Sequence, residues 1–271
     1  MSVSLETILK HDRRVVAGGL LLVIVSAWGY LLTGAGMGAS ALEMTHMSTG
    51  EHASMDMSAG MMRIAAWTPD YVVVMFLMWW VMMIAMMLPS AAPTILLAAA
   101  LNRRTHAHIS PYGITGFFAA GYLLAWAFFS VVAVATQWWL QQSGALSAML
   151  RSTSSLLAGG LLLAAALWQV TPLKRACLAH CRSPVRFLTE RRREGNIGAL
   201  AMGAEHGAYC LGCCWMLMLL LFVGGVMNLY WIIGLAILVF VEKVLPIGQR
   251  VSPLIAIGLG AWGMALIAGV G

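Results

Sequence analysis

Tyr71-Val72-Val73-Val74-Met75-Phe76-Leu77-Met78-Trp79-Trp80-Val81-Met82-Met83-Ile84-Ala85-Met86-Met87-Leu88 is a run without one charged side chain. At 1.5 Å rise per residue a helix over this run extends about 27 Å, close to the ~30 Å hydrocarbon core of a bilayer. Inside lipid the backbone must satisfy its own polar groups, so such a run reads as a membrane-spanning helix. Pro89 and Pro93 follow it and are expected to kink or end that helix. Six further stretches approach the same length: Val15–Leu32, Gly113–Ala135, Thr153–Val170, Ala208–Met227, Leu229–Leu245 and Leu254–Val270. Leu229–Leu245 is the weakest, because Glu242 and Lys243 lie near its end. The expected fold is therefore all-α: a polytopic transmembrane bundle of about seven helices, or six if Leu229–Leu245 only dips into the membrane. No alternating pattern points to a barrel.

Composition agrees. Of 271 residues, 61% are hydrophobic and only 10% charged, against about 25% charged in a soluble domain. Membrane lipids are thus the principal partner, and the length suits a single membrane domain over 1–271. The net charge of +6 does not point to nucleic acid, because the basic residues cluster at helix ends. With the N-terminus placed inside, fourteen of the sixteen Lys and Arg residues fall on inner segments, leaving Arg63 and Arg151 outside. That bias predicts a cytoplasmic N-terminus and an external C-terminus in a bacterial cytoplasmic membrane. Two connections are long: an outer Met/His-rich loop over 33–70 and an inner basic loop over 171–206.

Four features could carry chemistry. The outer loop holds His46, Met47, His52, Met55 and Met57 at short spacings. Thioether and imidazole suit copper, Met favouring Cu(I), although such tracts are a compositional signal only. In the opening helix Met75, Met78, Met82 and Met86 follow i, i+3, i+7, i+11 and share a face. They could relay a soft cation, or simply pack, since Met fills irregular gaps well. Cys177 and Cys181 lie i, i+4 in the inner segment. His206, Cys210 and Cys213 lie i, i+4, i+7 at the start of the fifth span, with Cys214 beside them. Both segments are expected at the inner boundary, where thiolates and imidazole suit Cu(I) or Zn(II), and where reducing conditions disfavour disulfides. The plain alternative is a set of small buried cysteines. Last come intramembrane polar residues Glu205, Asn228, Glu242 and Lys243, costly at membrane depth unless paired or functional. Glu242 is expected to face the bundle and Lys243 to snorkel to the interface.

These residues resemble a bacterial family of predicted metal-binding integral membrane proteins catalogued as a domain of unknown function (DUF2182-like). The stretches that carry the resemblance are Ala85-Met86-Met87-Leu88-Pro89 with Pro93, and Tyr122-Leu123-Leu124 with Trp126. Next come Thr171-Pro172-Leu173-Lys174 with Cys177, Cys181, Arg182 and Pro184. The remainder are Gly207, Cys210, Gly212-Cys213-Cys214-Trp215, Gly225, Met227-Asn228, and Glu242-Lys243 with Pro246. The resemblance spans roughly residues 71–250 and implies a metal, copper foremost, and a membrane location. It does not supply a reaction, and the outer Met/His loop lies outside it.

Three functions are carried forward. The first is a copper-handling membrane protein that captures Cu(I) outside and passes it inward, with a membrane cuproenzyme or a periplasmic copper chaperone as partner. No GxxxxGK[ST] loop is present to drive transport with a nucleotide. The second is a thiol–disulfide oxidoreductase using Cys210-Leu211-Gly212-Cys213, with Cys177 and Cys181 resolving. The third is a structural accessory subunit of a membrane enzyme, with no site of its own.

Overall fold

The computed structural model describes residues 5–49, 67–105, 111–147 and 150–269. Among them lie eleven helices and no strand: α1 (Leu5–Leu32), α2 (Ala41–Thr49), α3 (Pro69–Thr105), α4 (Pro111–Gln142), α5 (Ser155–Val170), α6 (Pro172–Arg182), α7 (Pro184–Glu190), α8 (Gly195–Leu219), α9 (Leu221–Gly224), α10 (Leu229–Val244) and α11 (Gly248–Ile267). This is an all-α, multi-pass membrane bundle. Five helical stretches are long and apolar enough to cross a bilayer, and a sixth is reached if α5 and α6, bent by 64° at Thr171, count as one broken span. That is fewer than seven because α5 and α10 have 16 residues each, about 24 Å of helix, short of the hydrocarbon thickness.

Two expectations are corrected. Pro89 and Pro93, expected to kink or end the helix that begins near Tyr71, do not end it. α3 continues through Pro89 and Pro93 to Thr105, a course tolerated in a membrane helix because neighbouring groups re-satisfy the backbone that proline disturbs. Ser90 Oγ (2.8 Å) and Tyr122 Oη (3.2 Å) both donate to the Met87 carbonyl beside the first proline. The inner segment 171–206 is likewise not a loop but α6, α7 and the first turns of α8. Thr171 caps α6 by accepting the Lys174 amide, with Pro172 at the first helical position, where its missing N–H costs nothing.

Helix directions follow from their contacts. Trp67 donates to Gln141, Trp79 to Gln137 and Tyr122 to Met87, so α3 and α4 run antiparallel. α4 and α8 run parallel and form the most extensive helix pair. A Cβ on Gly203 would strike the Phe118 carbonyl; one on Gly207 would meet Ala125 Cβ at 2.6 Å, and one on Gly121 would strike the Leu200 carbonyl. Gly203 and Gly207 are four apart, as are Gly121 and Ala125. This small-xxx-small pattern lets backbones touch where lipid offers no hydrophobic drive for association. α5 packs antiparallel on α11 through Gly159 and Gly263, and the Ser152 amide donates to the carbonyl of Phe222 in α9, just past the end of α8. One end of the bundle therefore collects the starts of α3, α5 and α10 with the ends of α4, α8 and α11.

α3 and α8 form the interior, with 56% and 61% of their most apolar windows buried, against 11% for α1 and 17% for α11. Leu21, Leu22 and Val25 on α1 and Leu254 and Ile257 on α11 are exposed; lipid is the medium that suits them. α2 closes the bundle end at the start of α10. Ser40 and Glu43 make a reciprocal capping box: the Ser40 amide donates to Glu43 Oε2 (2.8 Å), and the Glu43 amide to Ser40 Oγ (3.3 Å). The Ser40 backbone N–H, then its hydroxyl, hold the Glu43 carboxyl below its ordinary range. Thr45 Oγ1 accepts the Leu229 amide (2.9 Å).

Candidate metal centre

The site starts with the helical spacing of cysteines on α8. Cys210, Cys213 and Cys214 are all buried. Thiols 213 and 214 each turn back to the Cys210 carbonyl at 3.0 Å, the local bond open to a short side chain on a helix. α6 crosses beside this turn. Gly212 makes the crossing close: a Cβ there would lie 2.8 Å from Cys177 Sγ. One helical turn further along α6, Cys181 lies on the same face as Cys177. The two cysteine segments thus meet, and all five cysteines are free thiols.

A second cluster forms on the other side of Cys210. Lys243 Nζ, from the last turn of α10, donates to Cys210 Sγ at 2.8 Å and lies 3.8 Å from Cys214 Sγ and 3.9 Å from Met87 Sδ. Cys214 Sγ and Met87 Sδ are 3.9 Å apart, and Tyr122 Oη is 3.0 Å from Cys210 Sγ. Four helices, α3, α4, α8 and α10, contribute to this cluster. The snorkelling expected of Lys243 is therefore corrected. It is only 7% exposed, because its stem points along α10 into the bundle, where sulfur replaces water as its partner.

Glu242 does face the bundle, and points away from its neighbour as adjacent helical residues must. Lys174 Nζ reaches both carboxylate oxygens (2.9 and 2.8 Å), Ser252 Oγ donates at 2.7 Å and Gln169 Nε2 at 3.2 Å. Arg182 donates to the Glu242 and Pro246 carbonyls, satisfying the end of α10. Glu205 lies in the first half of α8, paired with Arg191 (3.2 Å) and Arg193 (3.4 Å). Asn228 caps α10, accepting the Tyr230 amide and donating to the Gly224 carbonyl.

His206 precedes Cys210 by one turn and is boxed by aromatic rings: Phe187 at 5.4 Å, Tyr122 at 5.8 Å and Phe118 at 6.1 Å. Its Nδ1 is buried without a hydrogen-bond partner among the described residues. Met75, Met78, Met82 and Met86 are buried along α3, with Gln137 Nε2 3.4 Å from Met75 Sδ. His46 is exposed on α2, and Met47 belongs to the same helix. His52, Met55 and Met57 lie outside the described residues.

Among the described residues, no three His, Cys, Asp or Glu side chains stand so as to hold one metal ion. The soft donors instead fall into two adjoining groups, Cys177 and Cys181 on α6, and Met87, Cys210, Cys213 and Cys214 across α3 and α8. Sequence reasoning missed Met87, Tyr122 and Lys174 as members of the site. Lys174 left a signal: it shares a face of α6 with Leu178 and Cys181 at i, i+4, i+7, so a basic residue was in line with core positions. Met87 and Tyr122 left theirs in the stretches that carry the family resemblance, where neither had been assigned to the site.

A family model described as a copper chaperone, PpoB2, matches residues 76–266. The match runs from α3 into α11 and contains both sulfur groups. No curated protein and no solved structure matches the chain.

Proposed function

The chain belongs to the PpoB2 family of copper chaperones, and on that premise we propose that it binds Cu(I) at the buried sulfur groups and hands it on at the inner face of a bacterial cytoplasmic membrane. The observation that carries this reading is the meeting of the Cys210–Cys214 turn of α8 with Met87 of α3 and Cys177 of α6, all five cysteines being free thiols. Soft sulfur favours Cu(I). Zinc wants four ligands in a tetrahedron, and the grouping of donors is a poorer fit for it. Cys177, Cys181, Cys210, Cys213 and Cys214 are the inner thiols, and His206, its Nδ1 without a partner among the described residues, lies one turn before Cys210.

Capture falls to the outer Met/His loop, with His46, Met47, His52, Met55 and Met57 taking copper from solution or from a periplasmic chaperone. Met75, Met78, Met82 and Met86 then offer thioethers over about 17 Å of α3. Affinity for Cu(I) rises from thioether to thiolate, which gives an inward direction and delivery to a membrane cuproenzyme. The N-terminus is inside and the C-terminus outside. The test is elemental analysis of detergent-purified protein. Cys213→Ala with Cys214→Ala should lower bound copper to a small fraction of wild type, and deletion of 43–62 should slow loading without abolishing it. Unchanged copper in the double variant would refute the inner site.

One contact favours a second reading. Cys177 of α6 packs against Gly212, between Cys210 and Cys213, which also suits thiol–disulfide exchange by Cys210 and Cys213. Thiol trapping in cells decides: if both stay reduced while copper binds, exchange is excluded.

A further inference from the structure

Lys243 is the one lysine among the described residues whose ammonium is aimed into sulfur. Its three sulfur neighbours surround it: Cys210 at 2.8 Å, Cys214 at 3.8 Å and Met87 at 3.9 Å. A trigonal three-sulfur metal centre with bonds of about 2.3 Å has sulfur–sulfur edges of about 4.0 Å. The Met87–Cys214 edge is 3.9 Å. That edge is therefore already set for a metal, and a cation already sits at the mouth of the triangle. A buried ammonium is costly without a counter-charge or acceptors turned toward it, and here the acceptors are the ligand sulfurs themselves.

We propose that Met87, Cys210 and Cys214 form the Cu(I) seat and that the Lys243 ammonium is its resident placeholder, displaced when copper enters. The proposal rests on the copper reading above and deepens it. Nζ contacts the same three sulfurs that the metal would bind and would lie within bonding distance of it, so copper entry and withdrawal of Nζ are one event. Copper enters and stays as Cu(I), and no electron is transferred. Each thiol that binds it releases its proton to the carrier or to solvent, and Lys243 keeps its own. In the empty protein the ammonium holds the sulfurs apart from one another and from oxidants. In the loaded protein its displacement shifts the last turn of α10, and with it the α10–α11 corner that Arg182 holds through the Glu242 and Pro246 carbonyls. Met87 also joins the seat to the inner end of the methionine face on α3.

The test measures Cu(I) affinity in purified full-length protein by competition with a chromophoric chelator, for wild type, K243M and M87L. Removing the competing charge should tighten binding by about tenfold or more, the factor that 1.4 kcal/mol supplies, and M87L should weaken it by a similar factor. X-ray absorption of the copper-loaded wild type should show a first shell of three sulfurs and no nitrogen. If wild type binds copper but K243M binds it no more tightly, or M87L is unaffected, the placeholder is refuted while copper binding stands. A nitrogen in the wild-type shell refutes it without relying on any variant. If wild type takes up no copper at all, the underlying reading fails with it.

Discussion

Lys174 Nζ bridges both carboxylate oxygens of Glu242, at 2.9 and 2.8 Å, with both side chains at most 2% exposed. The pair joins α6 to α10 and anchors the helix that carries Lys243. Removing one partner of a buried pair leaves an uncompensated charge and costs about 3–5 kcal/mol, whereas removing both can be nearly neutral. Lys174→Met should therefore lower the thermal midpoint in detergent sharply, and adding Glu242→Gln should restore most of it. Equal midpoints for the single and double variants would show that the ion pair is not the anchor.

The α4–α8 seam should be intolerant of a single methyl. Gly203→Ala drives a Cβ into the Phe118 backbone carbonyl, which cannot swing aside. Gly160→Ala on α5 meets nothing within 4 Å and replaces a poor helix former by the best, a gain of up to about 1 kcal/mol. Differential scanning fluorimetry should find the first variant destabilised and the second unchanged or improved.

Cys177 of α6 packs against Gly212 of α8, so the first disulfide to close under mild oxidation should join these two helices. Peptide mapping by mass spectrometry should find a link from 177 or 181 to the run 210–214 before any within that run. An early link elsewhere would mean that α6 sits differently against α8.

The methionine face on α3 can be separated into packing and relay. Leu for Met conserves volume and costs under about 1.5 kcal/mol per site. A triple Met78→Leu, Met82→Leu, Met86→Leu variant should keep its fold and its equilibrium copper content at the inner thiols. Copper uptake into vesicles should fall several-fold. Uptake at the wild-type rate would leave these residues with packing alone.

Periplasm-active and cytoplasm-active reporters fused after Gly271 should be on and off respectively, and after Arg192 the reverse. The opposite result at Gly271 would mean that α10 and α11 do not form a full down-and-up pair.

Sequence alone determined the class of fold, because an apolar backbone in lipid has no choice but to be helical, and a run such as 71–88 satisfies that locally. It determined which cysteines share a face, since i, i+4 spacing is set by the helix itself. Thiol, thioether and imidazole chemistry carried the reading as far as copper, and the family match agrees with it.

Tertiary structure alone decided the pairings. Glu242 and Lys243 are neighbours in the chain, yet one is matched to Lys174 and the other to Cys210, because helix packing selects which face of α10 meets which neighbour. The same packing turned His206 toward aromatic rings and brought Met87 to the thiols across 127 residues of chain. It also carried α3 past two prolines that local rules read as a stop. Helical periodicity is a property of one segment, whereas the partner of a buried charge belongs to whichever helix stands opposite, and no spacing within a segment records that.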